Sequence, residues 1–190
     1  MADPAYRLLV INPGSTSTKI AVFDNERPIL SETLRHKPEE LAQHASDPYG
    51  FRKRLILEAL AEREISLDSL QAVVARGGLL KPIPGGVFKI GPKMLEDLRA
   101  AAYGKHASNL AALIAFEIAR ECRIPSFVVD PVVVDELEPV ARLSGLPEIA
   151  RRSAFHALNQ KAVARRAAAE LGLKYQESNL VVAHLGGGIT

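Results

Sequence analysis

The stretch NPGSTSTK, residues 12–19, places an amide, four consecutive hydroxyls and an ammonium close together. Successive turn N–H groups ringed by hydroxyls form a concavity that holds anions, and the compact charge of Lys19 suits phosphate. The spacing is not that of a Walker A loop, and no GK[ST] ending occurs. Ser, Thr, Gly and Asn also make ordinary polar hairpin turns, so both uses stand open on the residues alone. A second segment, HLGGGIT, starts with His184 and carries Gly186, Gly187 and Gly188. Three glycines let a backbone approach a ligand closely, and together the two segments suggest two phosphate grips facing each other.

Arg76 follows Ala72-Val73-Val74-Ala75 and precedes Gly77-Gly78. A planar guanidinium at a strand end can take a carboxylate or a phosphate bidentately, and a plain surface arginine is the alternative. Asp130 ends FVVD, and the carboxyl end of a strand is a common place for a Mg2+-directed carboxylate. Asp135 and Glu136 offer the same chemistry from less regular chain. His106 and His156 each stand near a helix start, where a histidine more often forms a hydrogen bond than catalyses. Cys122 is the single cysteine, no zinc spacing occurs, and no nucleophile elbow supports hydrolysis.

These groups need elements to carry them. Residues 7–12 read as a buried strand and 20–23 as a second, with PGSTSTK between them. ILSETL reads as a third, joined by a tight turn into a β-meander. Helical spacing begins at Pro38 and continues through FRKRLILEALAERE, where Leu55, Ile56, Ala59 and Leu60 form a stripe. LQAVVARGG is a strand running into a glycine break, and KPIPGGVFKI an irregular turn with a short extended segment. Pro92 opens a helix, Ser108 caps the next, and PSFVVD is a parallel-type strand. Residues 131–149 hold three prolines without a clean period and mark a crossover. Residues 151–171 form an alanine-rich helix that Gly172 terminates, and NLVVAHLGGG begins a new strand. A meander followed by strand–helix alternation gives a mixed α/β sheet with helices on its faces.

At 190 residues the chain exceeds one typical domain and falls short of two. Hydrophobic residues at 47% and charged ones at 24% exclude collagen-like, low-complexity and wholly disordered classes. Basic residues number 24 against 22 acidic, and the pairs Arg151-Arg152 and Arg165-Arg166 read as solvated helix faces. Nucleic acid is therefore not an expected partner. Neither a signal peptide nor an apolar run near the ~20 residues of a membrane span is visible, so a cytoplasmic setting without membrane contact is expected. The ending at LGGGIT is expected to be a cut rather than a finished terminus.

Taken in order, NPGSTSTK, ARGG at 75–78, KPIPGG, KHASN at 105–109, FHALNQKAVAR and VVAHLGGG resemble the acetate/butyrate kinase family along essentially the whole chain. The resemblance implies an α/β fold, the ribonuclease H-like domain of the acetate kinase, sugar kinase, Hsp70 and actin superfamily. Residues 1–135 would be the first such domain, with its phosphate loop at 12–19. Residues 136–190 would be a crossover, a helix and the truncated opening of a second domain. It further implies ATP/ADP and Mg2+, and roles by position. Asn12, Ser15, Ser17 and Lys19 match the first phosphate motif, with Thr16 where a third serine is frequent. Arg76 matches the arginine that meets the substrate carboxylate and the transferring phosphoryl. His106 matches a substrate-side histidine, although Ala107 and Ser108 follow it where the acetate type has Asn-Pro. Asp130 matches the aspartate that positions magnesium, and His156 the histidine that stabilises the transferring group. His184 with Gly186, Gly187 and Gly188 matches the second phosphate loop.

The short VVARGG form with KPIPGGVF after it resembles the butyrate and branched-chain fatty acid kinases of the family, and that resemblance implies butyrate or isobutyrate as the acid. The implied reaction is reversible transfer from ATP to butyrate, giving butyryl phosphate and ADP. Acetate or propionate is the same-fold alternative, and a non-catalytic nucleotide-binding module or inactive fragment the alternative of another class. A homo-oligomer is implied for the full-length protein. The adenine site would lie beyond Thr190, so residues 1–190 alone are expected to be inactive.

Overall fold

Residues 6–185 are described in the structure, a computed structural model. The chain divides into two compact units, one within Met1–Leu80 and Val87–Val129, the other within Lys81–Gly86 and Asp130–Thr190.

The first unit is built on a six-stranded sheet. Strands β1 (Arg7–Pro13), β2 (Ser17–Asp24) and β3 (Arg27–Arg35) form the antiparallel meander. Asn25 turns the second hairpin at φ +54°, a conformation that asparagine tolerates better than most residues. Helices α1 (Pro38–Gln43) and α2 (Pro48–Glu62) follow. Asp47-Pro48 starts α2 in the expected way, with the Asp47 carboxylate accepting the Gly50 N–H at 2.8 Å and proline in the first turn. Strand β4 (Ala72–Arg76) lies parallel to β1. After β5 (Val87–Lys89), α3 (Pro92–Arg99) and α4 (Asn109–Glu121), strand β6 (Ser126–Val129) joins parallel to β4, and β5 pairs antiparallel at the edge. The order is β3-β2-β1-β4-β6-β5.

Register separates two faces. Leu9, Ile11, Ile20, Val22, Val73, Ala75 and Val128 are all but fully buried on one, beneath α2 and α4, which contribute Ile56, Leu60, Ile114 and Ile118. Burying each such large side chain contributes about 1.5–3 kcal/mol. The other face carries Leu8, Val10 and Asn12 of β1, Lys19 and Ala21 of β2, and Val74 and Arg76 of β4.

Two sequence expectations change here. PGSTSTK is not one loop: pairing runs on through Asn12↔Lys19 and Pro13↔Thr18, so only residues 14–16 turn. Alternation accounts for it, since Thr18 points with Ile20 into the core while Ser17 and Lys19 point away. Ser108 holds the N-cap position of α4 but makes no side-chain cap; its hydroxyl is engaged by His106 instead.

In the second unit, residues 130–156 are largely irregular, with a 3-10 turn at Pro139–Arg142, before α5 (Ala157–Glu170). The helix expected from residue 151 starts six residues later. Residues 151–156 are irregular, tied to the crossover by Ser153 Oγ donating to the Val134 carbonyl (2.6 Å) and Phe155 N–H to that of Val132 (3.3 Å). Gly172 ends α5 at φ +68°, as expected. The strand expected in NLVVAH does not form among the described residues: no strand there pairs with 179–183, and Val181 is fully exposed. An apolar run becomes a strand only where a neighbour takes its hydrogen bonds. No helix among the described residues is long and apolar enough to cross a membrane.

Candidate active site

On the first unit, three candidate residues stand side by side across the open sheet face. Asn12 lies directly opposite Lys19. The β1–β4 register pairs Ile11 with Ala75, so Arg76 comes next to Asn12, and Arg76 Nη1 donates to Asn12 Oδ1 at 3.4 Å. Lys19, Asn12 and Arg76 thus form a row over β2, β1 and β4. Burial lowers the pKa of the Arg76 guanidinium, and no carboxylate among the described residues is within ion-pair distance of it. Such a row can receive an anion.

The turn at the end of β1 exposes Ser15 and Thr16 and leaves Ser17 half-buried. Its Gly14 N–H closes on the Ser17 carbonyl at 2.7 Å. Beneath it lies a group that the sequence reading passed over. Arg52 on α2 donates from Nη2 to the Ser15 carbonyl (3.0 Å), and from Nη1 to the Ser17 carbonyl (3.0 Å) and Thr18 Oγ1 (2.8 Å). His36 Nε2 is 2.9 Å from the same hydroxyl. Thr18, His36 and Arg52 are all buried, and burial first, then the Arg52 charge, lower the His36 pKa against an opposing pull from Glu40.

The ARGG and KHASN segments meet through Asn109. Its Oδ1 accepts the Leu79 N–H (2.9 Å), and its Nδ2 donates to the Gly104 carbonyl (2.9 Å). A Cβ on Gly78 would come within 2.7 Å of the Asn109 Cα, so glycine is required for α4 to approach. His106 is exposed; its Nδ1 accepts the Ser108 N–H at 3.1 Å, which puts the proton of the neutral ring on Nε2.

On the second unit, Asp130 follows β6 directly, is 4% exposed, and holds φ +37°. A non-glycine residue in the left-handed region is costly and persists where its surroundings enforce it. They do so here: Asp130 and Gly86 exchange backbone and side-chain hydrogen bonds, the Gly86 N–H to Oδ1 at 2.8 Å and the Asp130 N–H to the Gly86 carbonyl at 3.0 Å. Lys161 Nζ is 3.7 Å from Asp130 Oδ1 and 2.9 Å from Glu136, whose other oxygen accepts the Gly85 N–H. Burial works against the Lys161 ammonium, yet the bond to Glu136 and the charges of Asp130 and Glu136 outweigh it and raise its pKa. Lys161 Nζ and Glu136 Oε1 pack against Gly85 where a Cβ would stand, and Gly86 holds φ +147°, a conformation that favours glycine.

His156 Nδ1 lies 3.0 Å from His184 Nε2, and His184 Nδ1 is 2.9 Å from Asn159 Oδ1. Because that amide oxygen only accepts, His184 carries its proton on Nδ1, and His156 donates to its Nε2. Gly186, Gly187 and Gly188 lie outside the described residues. The candidates therefore fall into two sets: Asn12, Ser15, Ser17, Lys19, Arg76 and His106 on the first unit, Asp130, His156 and His184 on the second.

No protein-family model matches the chain. It is 57% identical over 185 residues to butyrate kinase 1 of Clostridium acetobutylicum, a match covering 96% of this chain and 52% of that protein. The chain thus spans about half the length of the curated relative it matches. Among solved structures it is similar to the acetate kinase of Porphyromonas gingivalis, with TM-score 0.68 and 19% identity over 97% of this chain and 54% of that one. It is similar as well to a propionate kinase of Francisella tularensis, with TM-score 0.58 and 18% identity over 97% of this chain and 53% of that one. At such identities the likeness is one of fold, and the fold agrees with the one that the motifs imply.

Proposed function

We propose that the chain belongs to the acetate and butyrate kinase family, as its 57% identity to a butyrate kinase supports, and that the whole protein is a short-chain carboxylate kinase that moves a phosphoryl group between ATP and butyrate or isobutyrate. The products in the forward direction are butyryl phosphate and ADP. The observation that carries this reading is the Lys19–Asn12–Arg76 row, an anion-receiving sheet face in a chain 57% identical to a butyrate kinase.

The chemistry asks for little else. A carboxylate is already ionised at neutral pH and needs no general base to attack phosphorus. The difficulty is bringing two anions in line, which makes positioning and charge stabilisation the main tasks. Arg76 would hold the substrate carboxylate and the transferring phosphoryl, with Lys19 offsetting their repulsion. Asn12, Ser15 and Ser17 would donate hydrogen bonds to phosphate oxygens, as would His156 on the transferring group. His106 would contact the substrate side, and His184 with Gly186, Gly187 and Gly188 would form the second phosphate grip.

Asp130 fits a divalent ion shared with phosphate. Its buried carboxylate accepts the Gly86 N–H and lies 3.7 Å from Lys161 Nζ, and no group of three or more potential ligands gathers among the described residues. Mg2+ typically uses one or two carboxylates and completes its shell with phosphate oxygens and water. When bound there, Mg2+ would neutralise charge on the phosphates. We also propose that residues 1–135 form the first domain and 136–190 the opening of the second, and that the whole protein is a cytoplasmic homo-oligomer.

Initial rates of the whole protein with acetate, propionate, butyrate and isobutyrate test the substrate. Butyrate or isobutyrate is expected to give the highest kcat/KM; a clear preference for acetate contradicts it.

A further inference from the structure

Arg52 is 3% exposed, and no carboxylate among the described residues lies within ion-pair distance of it. A buried cation without a counter-charge is costly, and this one is also incompletely bonded: Arg52 Nε and His36 Nδ1 have no hydrogen-bond partner. A hairpin turn does not in itself need a guanidinium beneath it. The three bonds that Arg52 does make all go to the turn and the residue after it, to the carbonyls of Ser15 and Ser17 and to Thr18 Oγ1.

Those bonds orient the turn. In a planar trans peptide the carbonyl and the N–H point in opposite directions. Drawing the Ser15 carbonyl inward therefore turns the Thr16 N–H outward. Neither the Ser15 nor the Thr16 N–H donates to a described residue, and both side chains are exposed. The outer surface of the turn is left with amide and hydroxyl donors, and the inner side with an uncancelled positive charge.

We infer that Arg52 is a positioning residue for an anion site on the Gly14–Ser17 turn, fixing the turn carbonyls inward so that its donors face a phosphate or phosphoryl group. An anion on the outer side supplies the counter-charge that the core lacks. Burial lowers the Arg52 pKa, and an anion across the turn acts in the opposite sense. The inference deepens the phosphoryl-transfer reading and takes from it only the identity of the anion.

The test uses the whole protein and inorganic pyrophosphate, titrated calorimetrically without Mg2+, alongside thermal melting and initial rates with ATP and butyrate. Arg52→Met is expected to weaken pyrophosphate binding about tenfold or more, and Arg52→Lys, which keeps the charge but loses the fork, by less. Both should still melt cooperatively. A purely structural arginine would instead lower Tm while the folded variants bind pyrophosphate as tightly as the parent, and that result overturns the inference. If Arg52→Met does not fold, Arg52→Lys decides by the same criterion, and a parent protein that binds no pyrophosphate also overturns it. Weakened binding in the variants of a protein that phosphorylates none of the acids would sink the kinase reading and leave the anion site standing.

Discussion

Arg76 and Arg52 show what a residue type can and cannot reveal. The position of Arg76 at a strand end was legible because it ends an apolar run and precedes two glycines. Its guanidinium makes a single long bond to Asn12, so most of its donor fork remains for a ligand. In the whole protein, Arg76→Ala is expected to lower kcat about 100- to 1000-fold while KM for ATP stays within about threefold, as initial rates would measure. Arg76→Lys should recover only part, since an ammonium cannot fork onto a carboxylate. Equal, modest losses in kcat and KM would contradict the assigned role. Arg52 was not legible, because Arg52, Lys53 and Arg54 are adjacent cations on one helix and their residue types do not say which turns inward. In the structure Lys53 pairs with Glu117 and Glu121, Arg54 with Glu58, and only Arg52 is buried.

At the scale of elements, apolar runs located β1, β4 and β6 well, and the alternation within β2 was hidden by its hydroxyls. Thr18 looks like a loop residue and behaves as a core one, bonded to Arg52 and His36. Helix starts were legible at Pro92 and missed at α5, since the bonds that hold residues 151–156 out of the helix come from the distant Val132–Val134 segment. The run at 179–183 was misjudged because strand formation depends on a pairing neighbour rather than on its own composition. The buried β2–α2 junction also has a pH signature. His36 binds its proton more weakly in the folded chain than at its ordinary value of 6.5, owing first to burial and then to the Arg52 charge. The unfolded chain therefore takes up a proton that the folded chain refuses. This group's contribution to stability is complete above about pH 6.5 and is lost as pH falls through the folded value. Denaturant unfolding of the whole protein between pH 7 and 5 should show that decline, and His36→Gln should flatten it. An unchanged slope in the variant would contradict the buried neutral histidine.

For the whole molecule, composition and the single cysteine limited the class without pointing to any chemistry, whereas the order of short motifs pointed to the family. Those motifs divide between two units, each with its own supporting contacts: Asn109 and Gly78 under Arg76's strand end, Gly85, Glu136 and Lys161 around Asp130. Their glycines were readable as turns, but the close approach of the Asn109 Cα that makes glycine necessary at Gly78 was not, because it comes from a helix far away in sequence. The central claim is that the whole protein phosphorylates a short-chain carboxylate. Trapping the acyl phosphate with hydroxylamine, in the presence of ATP, Mg2+ and butyrate, tests it most directly. The account predicts butyryl hydroxamate in equal amount to the ADP released; ADP without hydroxamate, or neither product, would contradict it.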